Sequence, residues 1–230
     1  MTIQALLFDK DGTLFDFSKT WNNYTLGVIE HFAAGSAERM QWIAETIEFD
    51  LVGCAFLPTS PIIAGTNREA AELLASAIDG KDADEVEIYL SESAKHVPLA
   101  PVLPLKPYLS DLKENGFALG VVTNDSEQAA RDHLRSAEAL DVFDFVAGYD
   151  SGFGEKPDPD PLLAFAQQIK STPDKVAMIG DSTHDLIAGR RAGMVTIGVL
   201  TGLATETVLA EFADVILPDI SHIPDWLTSA

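Results

Sequence analysis

Two acidic residues stand one position apart near the start of the chain, in the segment DKDGTL at residues 9–14. Carboxylates this close repel each other and become compatible when a cation lies beside them. A hard divalent ion with oxygen ligands, Mg²⁺ first, suits such a pair. Asp9 and Asp11 are therefore candidates for metal binding and catalysis. The same Asp-x-Asp-Gly pattern also occurs in solvated turns and in calcium loops, so the surrounding elements must decide.

The element before these acids is the apolar run at residues 5–8. An apolar run this short, ended by a turn signal, predicts a strand that is buried on both faces. Such a strand delivers Asp9 and Asp11 to the loop at its carboxyl end, which is where open parallel sheets bind ligands. Gly12 permits the sharp turn that brings the backbone close to a ligand.

Three later segments repeat this arrangement of an apolar strand followed by polar residues. They are 118–122 before Thr123 and Asn124, 143–147 before the loop that carries Lys156, and 176–179 before Asp181 and Asp185. Helical patterns separate them, the first with Asp125 as its predicted cap, and further strands are predicted at 195–199 and 215–217. Strands that alternate with helices imply right-handed crossovers and a parallel sheet. The polar ends should therefore meet at one edge.

The pattern between residues 17 and 100 is different, because apolar residues recur there at helical spacing. We predict four helices, the second carrying its stripe from Met40 to Leu51 and the third opening with a capping box at Thr66. A Pro-rich stretch then marks the return to alternating strands and helices. The sequence thus predicts an α/β parallel-sheet core of residues 1–16 and 101–230, with an inserted all-helical cap at 17–100 acting as a lid.

Composition is that of an ordinary soluble globular protein, with 47% hydrophobic and 22% charged residues. The single cysteine, Cys54, excludes an intrachain disulfide. No apolar run is long enough to span a bilayer, and the first residues lack the pattern of a signal peptide. We therefore expect a cytoplasmic protein. The sequence does not indicate its oligomeric state.

The formal net charge of −21 disfavours nucleic acids and anionic membrane surfaces as partners. An anionic substrate would be repelled by the overall field of the chain. A site for such a substrate must then supply local positive charge from a metal, a lysine or a helix N-terminus.

The acidic pair fits phosphoryl transfer through a phospho-aspartate. Asp9 would attack phosphorus as the nucleophile. Asp11 would protonate the leaving alkoxide and then take a proton from the water that attacks the aspartyl phosphate. A phosphate dianion repels an attacking carboxylate, so other groups must first neutralise charge.

The remaining polar strand ends supply those groups. Asp181 would hold Mg²⁺, with Asp185 as a direct or water-mediated ligand. Lys156 would offset negative charge near the phosphate. The Thr123 hydroxyl and the backbone N–H groups around Asn124 would bind phosphoryl oxygens. Taken singly, these segments also fit helix caps and solvated turns, but their joint order favours catalysis.

The segments DKDGTL, VVTND, GEKPDP and GDSTHD resemble the four motifs of the haloacid dehalogenase superfamily of phosphohydrolases. The resemblance covers the whole chain, including a helical cap after the first motif. It implies a Rossmann-like core, Mg²⁺, and the backbone carbonyl of Asp11 as a further metal contact. Residues 112–125 and 154–165 look most like phosphoglycolate phosphatases. Lys10 and Lys106 depart from the family pattern, which commonly has an apolar residue and a glycine there.

The leading functional prediction is an Mg²⁺-dependent phosphatase acting on a small phosphorylated metabolite, phosphoglycolate first. A phosphomutase of the β-phosphoglucomutase type shares the motifs and the helical cap. A non-catalytic binding protein on the same fold is a third alternative. A dehalogenase fits less well, because it needs neither Mg²⁺ nor the second carboxylate, Asp11.

Selectivity should come from the cap, because the core motifs contact only the phosphate. Arg68 falls in the first turn of a predicted helix, where a cation opposes the helix dipole. One hypothesis is that Arg68 binds a substrate carboxylate. The alternative is a solvated arginine paired with Glu69 or Glu72.

Overall fold

The computed structural model describes residues 3–229. Within that range the chain forms eight strands. They are β1 (Ala5–Phe8), β2 (Phe49–Asp50), β3 (Ala55–Phe56), β4 (Ala118–Val122), β5 (Phe145–Ala147), β6 (Val176–Gly180), β7 (Val195–Val199) and β8 (Val215–Leu217). The predicted strands at 118–122, 195–199 and 215–217 are confirmed.

Helices connect these strands. They are α1 (Phe17–Ala33), α2 (Ala37–Thr46), α3 (Asn67–Ser76), α4 (Ala83–Ala94), α5 (Leu105–Glu114), α6 (Glu127–Ser136), α7 (Asp160–Gln168), α8 (Thr183–Ala192), α9 (Glu206–Leu209) and α10 (Ile223–Ser229). Short 3₁₀ turns cover Leu140–Val142, Pro173–Lys175 and Ile220–His222. Between residues 3 and 229, no helix has the length and apolar character needed to cross a membrane.

Six strands form one parallel sheet in the order β5-β4-β1-β6-β7-β8, which confirms the predicted α/β fold. β1 is central and completely buried. Leu6 and Phe8 belong to one apolar cluster, whereas Ala5 and Leu7 belong to another. Because successive side chains of a strand point to opposite faces, β1 is covered on both sides, as its unbroken apolar run predicts.

The chain divides into two compact units, one containing residues up to Phe17 and from Leu99 onward, the other Ser18–Pro98. In the second unit, α3 begins with the predicted capping box, in which Thr66 and Glu69 exchange hydrogen bonds. This unit also contains a two-residue antiparallel ladder of β2 and β3 that the sequence does not predict. The apolar stripe extends beyond α2, because the chain leaves the helix at Thr46 and turns at Glu48, whose φ is 54°. The role of this unit as a lid stays a prediction.

Two local predictions are wrong. The strand predicted from residue 143 begins at Phe145, because the Leu140–Val142 turn precedes it and the carboxylate of Asp144 accepts the backbone N–H of Leu119 at 3.0 Å. Asp125 does not cap α6. The cap is Ser126, whose hydroxyl accepts the backbone N–H of Ala129 at 3.2 Å.

Candidate active site

The candidate site lies where three adjacent strands end. β1 pairs with both β4 and β6, and all three run in the same direction. Asp9, Thr123 and Asp181 are the first residues after these strands. The backbone N–H of Asp9 still donates to the carbonyl of Ile179 at 2.8 Å, so the loop leaves the sheet in a fixed position. The parallel register therefore brings side chains from distant parts of the sequence to one edge.

Lys156 connects the acidic residues of this edge. Its Nζ donates to Oδ1 of Asp9 at 2.6 Å, to Oδ1 of Asp185 at 2.6 Å and to the carbonyl of Val122 at 2.9 Å. The side chain is only 3% exposed. Asn124 holds the lysine backbone, because its amide nitrogen donates to the Lys156 carbonyl and its amide oxygen accepts the Lys156 N–H, both at 2.9 Å. The predicted contact of Asn124 with substrate stays a prediction.

Three buried carboxylates cluster beside Lys156. Asp9, Asp181 and Asp185 each offer an oxygen within 4.8 Å of the others. Oδ2 of Asp185 accepts the backbone N–H and the hydroxyl of Ser182 at 3.0 and 2.7 Å, which fixes it in the first turn of α8. The Thr13 hydroxyl donates to Oδ1 of Asp181 at 3.2 Å.

The electrostatics of the cluster are unbalanced, since one ammonium faces three carboxylates. Burial, reinforced by Asp185 and Asp11, raises the pKa of Asp9 to about 7 although Lys156 opposes the shift. Burial also raises the pKa of Asp181 well above its usual value, and the neighbouring Asp9 and Asp185 add to the effect. Burial would lower the pKa of Lys156, but Asp185 and Asp9 outweigh it and raise that pKa. The site therefore lacks positive charge.

A divalent cation would supply the missing charge. Mg²⁺ prefers carboxylate oxygens, and Asp9, Asp181 and Asp185 present three of them in one buried cluster. The Asp181 carboxylate is also confined, since a Cβ added at Gly12 or Gly202 would overlap it. Gly12 has a φ of 79°, which favours glycine for a second reason. These residues fit Mg²⁺ by donor type, charge and confinement.

Two predicted site residues lie beside this cluster. The Asp11 side chain is 19% exposed and forms an ion pair with Lys10, with 2.6 Å between Oδ2 and Nζ. Its side chain is not one of the three clustered carboxylates. The predicted metal contact of Asp11 involves the backbone carbonyl and stays a prediction. The buried Thr123 hydroxyl accepts the backbone N–H of Asp125 at 3.1 Å, which orients it at the end of β4.

Arg68 belongs to the second unit and binds carboxylates there. Its Nε donates to Glu72 at 2.8 Å, and its Nη1 donates to Asp84 at 2.5 Å and to Glu87 at 3.0 Å. Of the partners that the sequence offered, Glu72 takes part, and α4 supplies the other two. The predicted role in substrate binding stays untested, and in this arrangement it would compete with three ion pairs.

Sequence reasoning missed the surroundings of Lys10. This lysine is fully buried and contacts Asp125 and His133 as well as Asp11. Two signals were available. Lys10 interrupts a position where the resemblance implies an apolar residue. His133 shares the buried face of α6 with Ala130 and Leu134, three residues before it and one after it.

Residues 6–199 match the sequence model of the haloacid dehalogenase-like hydrolases. This match covers more than half of the chain and all four polar strand ends. The chain belongs to the haloacid dehalogenase-like hydrolase family. The predicted family resemblance is thereby confirmed.

Two of the curated relatives of this hydrolase have different names. A pyrophosphatase PpaX from Bacillus velezensis is 26% identical over 222 residues, covering 96% of this chain and 94% of the relative. A phosphoglycolate phosphatase from Aquifex aeolicus is 35% identical over 150 residues, covering 62% of this chain and 64% of the relative. Among solved structures, a β-phosphoglucomutase from Clostridium difficile has a TM-score of 0.70 at 16% identity, with 99% of this chain and 98% of that chain covered. That likeness concerns the fold alone.

Proposed function

We propose that this hydrolase is a phosphatase that cleaves a small phosphorylated metabolite through a phospho-aspartate on Asp9. The observation that carries the proposal is the environment of the Asp9 carboxylate. It follows the central strand directly, is buried, and is held at 2.6 Å by Lys156 beside Asp181 and Asp185. A fixed carboxylate in a site that can neutralise phosphate charge is what nucleophilic phosphoryl transfer requires.

In the first step, a carboxylate oxygen of Asp9 attacks phosphorus. An O–P bond forms to Asp9 while the bond from phosphorus to the leaving oxygen breaks. The leaving alkoxide takes a proton from Asp11, so an alcohol departs and Asp11 becomes a carboxylate. This step is fastest when the acid is held close to the leaving oxygen.

In the second step, water attacks the phosphorus of the aspartyl phosphate. Asp11 accepts a proton from that water, the bond between Asp9 and phosphorus breaks, and inorganic phosphate leaves. Both carboxyl groups then have their original protonation. Asp11 therefore acts once as an acid and once as a base.

The other residues control charge and position. Asp9, Asp181 and Asp185 would hold Mg²⁺, which when bound neutralises phosphate charge and polarises the phosphoryl group. Lys156 keeps the Asp9 carboxylate in place and adds positive charge. The Thr123 hydroxyl, oriented by the loop after β4, would donate to a phosphoryl oxygen.

For the substrate, we propose phosphoglycolate or a related small monoester first, in keeping with the name of the Aquifex aeolicus relative. Pyrophosphate is the second candidate, because the match to the pyrophosphatase PpaX spans 96% of this chain. Sugar phosphates, as mutase substrates, are the third. All three candidate substrates would react with Asp9 in the same way and differ only in the group attached to the phosphate.

The test is phosphate release by purified protein with Mg²⁺ over a panel containing phosphoglycolate, pyrophosphate and sugar monophosphates, the last with and without a bisphosphate activator. We expect release from at least one class and none after Asp9→Asn, which is nearly isosteric but cannot attack phosphorus. Conversion of a sugar phosphate without phosphate release would instead indicate a mutase. No turnover across the panel would favour a non-catalytic binding protein.

A further inference from the structure

Lys10 is a fully buried cation that the proposed mechanism does not use. Its Nζ lies 2.6 Å from Oδ2 of Asp11, 3.0 Å from Oδ2 of Asp125 and 2.9 Å from Nδ1 of His133. An ammonium has donors and no acceptor, so Nδ1 of His133 accepts from it. The three partners come from three places, namely the neighbouring loop residue, the loop after β4, and α6.

The partners of Lys10 are themselves fixed. Oδ1 of Asp125 accepts the backbone N–H of Ser126, the N-cap of α6, at 2.7 Å. His133 is buried on the core face of the same helix. Lys10 therefore contacts the residue before the N-cap and a residue in the last turn of one helix. Its ammonium cannot move without breaking contacts at both points.

Burying this ammonium is costly, and an apolar side chain would fill the space without that cost. The chain instead places Asp125 and His133 beside Lys10, and the ammonium makes its third contact with Asp11. The Asp11 side chain is 19% exposed, and Lys10 lies 2.6 Å from its Oδ2. The ion pair with Lys10 fixes one of its carboxylate oxygens.

We propose that Lys10 is a positioning residue for the acid–base step, holding the Asp11 carboxyl where it exchanges protons with the leaving group and with water. This inference rests on the proposed function. Proton transfer requires donor and acceptor within hydrogen-bond reach, and small displacements of a catalytic group slow the reaction strongly. Asp125 and His133 act one step further away, because they hold Lys10.

The test compares two aryl monoesters, phenyl phosphate and p-nitrophenyl phosphate. Phenolate is the poorer leaving group and depends more on a proton from Asp11, whereas p-nitrophenolate leaves nearly unaided. Lys10→Met removes the charge and keeps the length. We expect kcat/KM to fall at least tenfold for phenyl phosphate and less than threefold for p-nitrophenyl phosphate. A general structural defect would lower both equally.

A double-mutant cycle checks that the effect passes through Asp11. Lys10→Met should change phenyl phosphate cleavage less than twofold when Asp11→Asn is already present. His133→Asn keeps an acceptor near the position of Nδ1 and should stay within threefold of the wild type. His133→Phe removes that acceptor and should show the same leaving-group dependence as Lys10→Met.

Parallel losses on the two probes, unchanged or increased cleavage of phenyl phosphate, or full additivity with Asp11→Asn would overturn the role of Lys10. If Lys10→Met does not yield folded protein, the double variant Lys10→Met/Asp125→Asn also removes the Asp125 charge that would lose its cation. This double variant and His133→Phe are then compared with the wild type on the same two probes. Failure of the proposed function gives a different result. The wild type would then cleave neither probe, and both proposals would fall.

Discussion

Removal of the Lys156 ammonium should destabilise the protein strongly as well as inactivate it. Lys156→Met breaks two ion pairs of 2.6 Å, to Asp9 and Asp185, at a site where the lysine is 3% exposed. Removing one partner of a buried ion pair costs roughly 3–5 kcal/mol, because the other charge remains buried. Each kcal/mol lowers the melting temperature of a protein of this size by about 2–4 °C, so we expect a drop of about 6–20 °C. Urea denaturation in EDTA at pH 7.5, followed by circular dichroism, measures the loss of unfolding free energy.

Lys106→Met is the matched control. Lys106 and Asp141 form an ion pair of 2.5 Å, but their side chains are 40% and 74% exposed. Exposed pairs contribute at most about 1 kcal/mol, because water screens them and ordering them costs entropy. Both variants replace lysine by methionine, but Lys156 is buried and Lys106 is exposed. Losses of equal size would refute the reasoning that burial makes Lys156 indispensable to the acidic cluster.

Two further predictions concern the same carboxylates. Mg²⁺ should raise the melting temperature of the wild type in a thermal scan, by the equivalent of about 2.7 kcal/mol when its concentration is one hundred times its dissociation constant. Asp181→Asn should remove most of that gain. An unchanged melting temperature of the wild type would contradict the metal site. Because the pKa of Asp9 rises from 3.8 to about 7 on folding, the metal-free folded state binds the extra proton between these values, and its stability should fall as pH increases through this range. Asp9→Asn should therefore be more stable than the wild type above pH 7 in EDTA, by about 1–4 kcal/mol, with the difference vanishing toward pH 4. Parallel stability curves for the two proteins would count against the raised pKa.

The parts of the fold that the sequence predicts are those determined by neighbouring residues. An apolar run followed by a turn signal is sufficient for β1, and alternation with helices is sufficient for the parallel sheet. Gly193 ends α8 with a φ of 75°, a left-handed conformation that glycine adopts readily at the end of a helix. The approach of Asp9 to Lys156 follows from the same logic, because parallel strands end at one edge.

The contacts that the sequence does not predict depend on partners far along the chain. Lys10 meets Asp125 and His133 across separations of 115 and 123 residues, and no local pattern pairs them. Arg68 could be paired with Glu72 by helical spacing, but Asp84 lies on a different helix. The cap of α6 is ambiguous in the sequence for a related reason. Both Asp125 and Ser126 have side chains that can cap a helix. In the structure Ser126 caps α6, and the Asp125 carboxylate binds the distant Lys10.

Two buried lysines therefore organise an acidic site in a chain of net charge −21. Lys156 joins the end of β1 to β4 and α8 through Asp9, the Val122 carbonyl and Asp185. Lys10, the next residue after Asp9, connects Asp11 to Asp125 and to His133 of α6. Carboxylates this close would repel one another without these cations. Because each ammonium binds groups from different elements, it also fixes the loop that carries the proposed nucleophile and acid. Local cations thus permit the cluster and, in the proposed mechanism, hold the groups that would transfer protons and the phosphoryl group.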